Sequence, residues 1–223
     1  MAGCDFLALW EAGEADHPLD RALGLIETLE GTPRAEAARL PLDRRDRALY
    51  RIAARLFGSR IRLVGTCADC GAETALSFST EEALEVPAPA ERLALGDGTA
   101  VCRVPDSRDL AQALAAPDPR GALISALLDD PAPAPALAEA AEAALAAQGG
   151  LTDLTLAHRC TACGSEGATP FDILDYLWRR ITVEAQHLLR DIHVIAGAYG
   201  WTGEAIAALS PRRRAAHVAL IGG

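Results

Sequence analysis

The stretch CADCGAETALSF, residues 67–78, has a near copy in CTACGSEGATPF, residues 160–171. Both stretches read Cys-x-x-Cys-Gly, and both reach a phenylalanine eight residues after the second cysteine. Apolar residues at matching distances precede the two copies in an alternating pattern that is typical of strands, namely Ile61, Leu63, Leu154 and Leu156. Each copy therefore predicts a strand, a tight turn that carries two cysteines, and a returning strand.

The spacing of the cysteines indicates a metal site. Two cysteines three positions apart on one turn can direct both sulfurs at a single ion, and the following glycine permits a left-handed backbone. Two such turns provide four thiolates, the tetrahedral set that binds structural zinc at about 2.3 Å. We therefore predict one Zn²⁺ ion shared by both copies, with the ligands Cys67, Cys70, Cys160 and Cys163. Since neither copy can complete the site alone, the metal would contribute directly to folding.

The cysteine pattern leaves other chemistries open. The four thiols could form two disulfides or a redox couple, although neither CxxC pair opens a helix as a thioredoxin-like site does. An iron–sulfur or catalytic site is a further alternative, but a catalytic zinc needs an open position that four cysteines do not leave. His158 lies two residues before Cys160, on the same face of the predicted strand, and could replace a ligand; a surface or neighbouring role is favoured. Cys102, in another predicted strand, is expected to be an inert core thiol.

The periodicity of apolar residues around the two copies predicts a mainly helical α+β fold. Residues 1–60 form an N-terminal helical segment, and residues 172–223 form a C-terminal helical segment with a continuous apolar stripe. Residues 61–80 and 152–171 together form a split zinc-ribbon-like module, a pair of β-hairpins. Residues 81–151 form an inserted α/β segment with a hairpin, short helices and a Pro/Ala-rich connector.

Helix caps and turns refine this outline. Asp43 and Gly58 are the expected N-cap and C-terminal stop of a helix with one apolar face. Ser79 and Asp172, which follow the two copies directly, are both expected to cap a helix. The Gly-Asp-Gly sequence at residues 96–98 favours a tight hairpin turn.

The composition limits the classes of function. Of the 223 residues half are hydrophobic, the formal net charge is −10, and all 21 basic residues are arginine. An acidic chain is poorly suited to neutralising phosphates, so we expect no nucleic-acid partner. No apolar run approaches the length of about 18 residues that spans a membrane, and the acidic N-terminus does not resemble a signal peptide. We expect a cytoplasmic protein with reduced thiols.

The sequence offers no set of residues suited to catalysis. A phosphate-binding loop of the form GxxxxGK[ST] does not occur, and GDGTAV is expected to be a hairpin turn instead. No histidine, carboxylate and nucleophile form a recognisable set. We therefore expect a protein that is not an enzyme and has no small-molecule substrate.

Several stretches resemble one family. The C-terminal segment contains LRDIH at residues 189–193, Tyr-Gly-Trp at 199–201, LSPRRR at 209–214 and, near its end, Leu-Ile at 220–221. In these features it resembles the baseplate hub assembly chaperones of contractile-tailed phages and phage-like contractile injection systems. LPLDRRDRALYRIAARLFGSR, followed by a CxxCG, and RVPDSRDL are also similar to that family. In the latter stretch Asp106 stands where family members often have threonine.

The resemblance implies a non-enzymatic assembly or structural role, with baseplate or hub proteins as partners. The protein would then be cytoplasmic or incorporated in a phage-like particle. Aromatic residues and arginine are enriched at interfaces, which makes five residues candidates for partner binding: Tyr199, Trp201, Arg212, Arg213 and Arg214. The alternative is a zinc-ribbon regulator that binds nucleic acid, but the acidic charge and the neutral to acidic sequences around both CxxC pairs argue against it.

Overall fold

The computed structural model describes residues 6–96 and 98–222, so Cys4 and the turn residue Asp97 lie outside the described residues. The described chain is a mainly helical α+β fold with three two-stranded antiparallel sheets. The helices are α1 (Phe6–Gly13), α2 (Pro18–Glu30), α3 (Arg34–Ala37), α4 (Leu42–Phe57), α5 (Thr80–Glu85), α6 (Ser107–Leu114), α7 (Pro119–Leu128), α8 (Pro135–Ala146), α9 (Ile173–Tyr199), α10 (Gly203–Ala207) and α11 (Pro211–Gly222). The strands are β1 (Arg60–Thr66), β2 (Glu73–Ser79), β3 (Arg92–Leu95), β4 (Ala100–Arg103), β5 (Thr155–Arg159) and β6 (Glu166–Pro170).

The chain divides into two compact units. One unit is His17–Leu174, and the other combines the residues up to Asp16 with the residues from Asp175 onward. The larger unit holds all three hairpins, which pair β1 with β2, β3 with β4 and β5 with β6. The fold class predicted from the sequence is confirmed, including the two cysteine-bearing hairpins.

Helix α4 supplies much of the core of the larger unit. Its apolar face buries Leu49, Tyr50 and Ile52 completely. The prediction that Asp43 caps this helix is wrong: α4 begins at Leu42, preceded by Pro41. The carboxylate of Asp43 instead accepts hydrogen bonds from the side chain of Arg47 (2.6 Å) and from the backbone N–H of Leu151 (2.8 Å). Gly58, which has a φ of 84°, ends the helix as predicted.

The inserted segment has a small core of its own. The hairpin of β3 and β4 packs with α7 and α8 around six buried residues, Leu93, Leu95, Cys102, Ile124, Leu127 and Ala141. Cys102 is fully buried there, which is the environment predicted for it. The guanidinium of Arg103 bonds the Asp109 carboxylate of α6 (2.6 Å) and the carbonyl oxygen of Ala126 in α7 (3.2 Å). The segment therefore combines an apolar centre with a charged connection between neighbouring helices.

The smaller unit contains α1, most of the long helix α9, and the two final helices. Gly200 ends α9. Its φ of 68° is a left-handed conformation that residues with a side chain rarely adopt. Thr202 then caps α10 by accepting a hydrogen bond from the N–H of Ala205 (3.2 Å). The Arg214 guanidinium connects α11 to α9 through Asp191 (3.2 Å), and only 11% of the arginine side chain is exposed.

Candidate metal centre

Each CxxC pair lies on a turn that is closed by the same two backbone hydrogen bonds. In the first turn the N–H of Cys67 bonds the carbonyl of Ala72 (2.9 Å), and the N–H of Gly71 bonds the carbonyl of Cys67 (3.0 Å). Gly71 has a φ of 72°, so this turn requires the left-handed conformation that glycine allows. The second turn repeats both bonds, at 2.8 and 3.0 Å, with Cys160, Ser165 and Gly164.

The two turns bring all four cysteine sulfurs together. The Sγ atoms of Cys67, Cys70, Cys160 and Cys163 lie within 4.8 Å of one another. Two close separations join different hairpins: Cys67 to Cys163 and Cys70 to Cys160, both at 3.7 Å. A tetrahedral ion with metal–sulfur bonds of about 2.3 Å requires sulfur–sulfur separations of about 3.8 Å. The observed spacing fits such an ion and is far from the bonded distance of about 2.05 Å in a disulfide.

Hydrogen bonds within and between the turns favour the thiolate form of two of the cysteines. The Ser165 hydroxyl, followed by the backbone N–H groups of Cys70 and Asp69, lowers the pKa of Cys67 to about 6. In the second turn the backbone N–H groups of Cys163 and Ala162 likewise lower the pKa of Cys160. The first cysteine of each pair is thereby prepared to act as a thiolate ligand.

The pKa of Cys70 shifts in the opposite direction. Its largest single influence, a hydrogen bond with the backbone of Ala72, lowers the pKa, but bonds with Cys163, Cys160 and Cys67 outweigh it and raise the pKa to about 12. The cause is that Cys70 can donate a hydrogen bond to the neighbouring sulfurs only as a neutral thiol, so these bonds favour the protonated form. A cation at the centre would reverse this preference, since a thiol that coordinates a metal is deprotonated.

The four residues form a closed ligand set. Cys67 and Cys160 are buried, whereas Cys70 and Cys163 are exposed at the tips of the turns. The cluster can hold one metal ion, and its donor chemistry is that of structural zinc. Among residues 6–96 and 98–222, this is the only group of at least three cysteine, histidine or carboxylate side chains that meets the geometry of a metal site.

Ser165 is a residue of the site that the sequence reasoning missed. Its hydroxyl lies 2.9 Å from the sulfur of Cys163 and 3.3 Å from that of Cys67. It therefore contacts one ligand from each hairpin. The signal was present in the sequence, since a hydroxyl residue two positions after the last cysteine of a knuckle can turn back toward the sulfurs.

Close packing of backbone holds the hairpins against each other beside the cluster. A Cβ atom added at Gly65 in β1 would lie 2.5 Å from the hydroxyl oxygen of Thr169 in β6, and His158 lies next to the same glycine. The His158 ring also lies against Gly167, and its Nδ1 is 3.3 Å from the carbonyl oxygen of Leu156. His158 thus packs between the hairpins and does not belong to the four-residue metal group.

The phenylalanines that end the two copies meet in the core. The rings of Phe78 and Phe171 are 5.0 Å apart in an edge-to-face arrangement, and each also contacts the ring of Tyr50 in α4, at 6.5 and 6.2 Å. Such aromatic pairs contribute about 0.5–1.5 kcal/mol beyond their buried area. The duplicated stretches therefore join at both ends, at the sulfurs and at the rings.

The candidate partner residues lie in the smaller unit. Tyr199 and Trp201 are 42% and 41% exposed, and their rings pack against each other and against His217. Arg212 and Arg213 are exposed, whereas Arg214 is held by Asp191 and by the carbonyl oxygen of Leu209. His217 is not among the partner residues predicted from the sequence, because only the fold brings it next to the two aromatic residues.

The chain matches no family model, no curated protein and no solved structure. Within the described part of the chain, every helix is too short or too polar to span a bilayer.

Proposed function

We propose that the protein is a non-enzymatic assembly or structural component of the baseplate hub of a contractile phage-tail-like particle, and that one Zn²⁺ ion stabilises its fold. The observation that carries the proposal is the pattern of LRDIH, Tyr-Gly-Trp and LSPRRR in the C-terminal segment. Residues of this pattern contact one another: Asp191 pairs with Arg214, and Tyr199 packs on Trp201. These contacts support the proposal, because they bring parts of the pattern from α9 and α11 together.

The donor set supports zinc in a structural role. Four cysteine thiolates complete a tetrahedral shell, so no coordination position is left for a substrate or a water nucleophile. The two hairpins that supply the ligands are separated by the inserted segment along the chain. The ion would therefore connect distant parts of the chain, and we assign it no catalytic step.

The partners we propose are baseplate or hub proteins, encountered in the cytoplasm or in the assembled particle. A regulator that binds nucleic acid is less well supported. Its contacts to phosphate would have to come from basic residues, and the exposed knuckle residues of this protein include Asp69 and Glu166 instead. The absence of lysine and the net charge of −10 point the same way.

The decisive experiment is co-purification from the native host. A tagged chain, expressed from its own locus, should recover sheath, tube or hub proteins in stoichiometric amounts from cells that assemble particles. The matched control is the same tagged chain in cells from which the genes for the tail particle have been deleted. Recovery of no tail protein, together with retention on duplex DNA at low salt, would overturn the proposal and favour the regulator.

A further inference from the structure

The smaller unit exposes a mixed aromatic and basic surface. We define the C-terminal corner surface by six residues: Tyr199, Trp201, Arg212, Arg213, His217 and Leu220. The three rings are mutually in contact, with centroids 5.1–5.6 Å apart. Tyr199 and Trp201 are about two-fifths exposed, and 73% of Leu220 is exposed. Large apolar side chains that remain in water in this way are typical of sites where another protein binds.

The geometry of α11 makes this surface continuous. Arg213, His217 and Leu220 follow one another at intervals of four and three residues, so they lie on one face of the helix. No residue of α11 is fully buried. Arg214 instead holds the helix in place through Asp191 and the carbonyl oxygen of Leu209 (2.6 Å). His217 also attaches α11 to its unit through its ring contacts with Tyr199 and Trp201, whereas Arg213 and Leu220 on either side of it remain exposed.

The charge of this region is opposite to that of the chain as a whole. From Tyr199 onward there are three arginines and one acidic residue, Glu204, whereas the whole chain has a net charge of −10. Asp191 neutralises Arg214, but no carboxylate of the described residues lies within ion-pair distance of Arg212 or Arg213. Both arginines are in the first turn of α11, where the helix dipole disfavours positive charge. Local stability therefore does not account for their presence.

We propose that the C-terminal corner surface binds an acidic segment of a partner protein. Carboxylates of the segment would pair with Arg212 and Arg213, and an apolar side chain would cover the rings of Tyr199 and Trp201. Arginine, tyrosine and tryptophan are the residues that most often dominate binding energy at protein interfaces. The inference deepens the proposed function, and rests on it for the choice of a protein rather than a nucleic acid as partner.

The extent of the positive charge favours a short acidic segment over a polyanion. At physiological salt, charges more than about 8 Å apart are largely screened. A short acidic segment is therefore attracted mainly by the two arginines beside it. A nucleic-acid duplex extends well beyond that distance, and two arginines cannot neutralise the phosphates along it.

The test begins with a random peptide library, selected on the zinc-loaded full-length protein and counter-selected on the variant Arg212→Glu/Arg213→Glu. The binding peptides should be enriched in aspartate and glutamate next to leucine or an aromatic residue. Dissociation constants, measured by fluorescence anisotropy, should rise at least tenfold in this variant and in Trp201→Ala. They should also rise with salt concentration.

The double variant is not expected to unfold. Glutamate at position 213 would complete a capping box with Ser210, and acidic residues in the first turn agree with the helix dipole, so the thermal midpoint should be unchanged or raised. Arg60→Glu/Arg62→Glu is the matched control, because it makes the same change in charge at exposed positions of β1. It should leave peptide binding within twofold of the wild type.

The inference would be overturned if no peptide is enriched or if the enriched peptides are not acidic. It would also be overturned if they bind the double variant as tightly as the wild type, or if they lose affinity equally in the control. A dimer that dissociates in the double variant would identify a second copy as the occupant instead. DNA binding that is lost in the double variant would reject both this inference and the proposed function. If acidic peptides bind selectively but no tail protein is recovered, the inference about the surface stands. The proposed role in a tail-like particle is then rejected.

Discussion

Single side chains decide whether the metal centre can form. Cys163 is exposed at the tip of its turn, yet its sulfur approaches that of Cys67 on the other hairpin to 3.7 Å and touches the Ser165 hydroxyl. Exposure in this case does not indicate a dispensable residue, since the fourth ligand completes the shell.

Replacing Cys163 by serine should abolish stoichiometric zinc binding and strongly destabilise the protein. Structural zinc contributes on the order of 10 kcal/mol in small zinc-dependent folds, which is comparable to the total stability of a domain, about 5–15 kcal/mol. Metal content by atomic emission and thermal unfolding test this expectation. Cys102→Ala is the control, because Cys102 lies in the separate core of the insert and its loss should leave one zinc per chain. A variant Cys163→Ser that retains one zinc would refute the assignment.

Tyr50 allows a second test at the residue scale. Its ring is completely buried against Phe78 and Phe171, but its hydroxyl has no hydrogen-bond partner among the described residues. Burial is also the main cause of the raised pKa of this tyrosine. Since an unsatisfied buried hydroxyl costs about 1–3 kcal/mol, Tyr50→Phe should be neutral or stabilising in urea denaturation.

The matched variant at the same position removes the ring itself. Tyr50→Ala should cost about 3–5 kcal/mol, the usual loss for a large buried aromatic side chain. A clear destabilisation by Tyr50→Phe would mean that the hydroxyl does find a partner in solution.

The ion pair of Asp109 predicts a pH dependence. Burial opposes ionisation of this carboxyl, but the hydrogen bonds from Arg103 and from the backbone of Asp106 outweigh it and lower the pKa below its usual 3.8. Because the pKa is lower in the folded state, the carboxylate stabilises the protein at pH values above the unfolded pKa. This contribution disappears as the pH falls through the folded pKa.

Asp109→Asn should therefore cost about 1–3 kcal/mol at pH 7, a typical value for hydrogen bonds to a charged group. Urea denaturation of both proteins from pH 7 downward should show their difference in stability shrinking as the pH approaches and passes 3.8. Protonation of the zinc ligands affects both proteins alike, so the comparison isolates Asp109. A difference that does not change with pH would contradict the prediction.

At the scale of elements, the packing of β1 on β6 depends on the lack of a side chain at Gly65. A methyl group there would lie 2.5 Å from the Thr169 hydroxyl oxygen and 3.1 Å from a Leu76 methyl carbon. Gly65→Ala should therefore force the hairpins apart, destabilise the protein by about 1–3 kcal/mol and weaken zinc binding. Competition with a chromogenic chelator measures the zinc affinity.

Gly197→Ala in helix α9 is the matched control for this substitution. A Cβ atom at Gly197 meets nothing within 4 Å, and alanine favours a helix over glycine by about 1 kcal/mol. This variant should be neutral or slightly stabilised and should keep its zinc affinity. Equal behaviour of the two variants would show that the contact at Gly65 does not hold the hairpins together.

Elements with strong local signals were predictable from the sequence. Ser79 caps α5 in a capping box with Glu82, and the carboxylate of Asp172 accepts a hydrogen bond from the N–H of Leu174 at the start of α9, as the sequence indicates. The clustering of the four cysteines followed in the same way from their spacing and their duplication.

Other features depend on contacts that local sequence does not reveal. Asp43 resembles an N-cap in the sequence. In the folded protein its carboxylate instead accepts a hydrogen bond from the N–H of Leu151, more than a hundred positions away. Likewise, the meeting of Phe78 with Phe171 and the position of His217 beside Trp201 arise only when distant elements pack. Contacts between residues that lie far apart in the sequence leave no periodic pattern from which they could be predicted.

The whole larger unit should respond unevenly to loss of the metal. The cysteine hairpins together can hold one ion, whereas the inserted segment has its own apolar core. Because stability is not uniform across a fold, we expect chelation to unfold the hairpins before the insert. Hydrogen exchange of the full-length protein should show early loss of protection in β1, β2, β5 and β6, and retained protection in α7 and α8. Simultaneous loss in all of these elements would show that the metal controls the whole unit.

The distance between the duplicated turns also has a consequence for protein synthesis. Cys160 follows Cys67 by ninety-three positions, so at about 5–20 residues per second the ribosome needs about 5–20 s to add it. During this interval the first turn has only two of the four sulfurs. A nascent chain interrupted before the second turn cannot complete the tetrahedron, so only chains that extend past Cys163 could hold the ion.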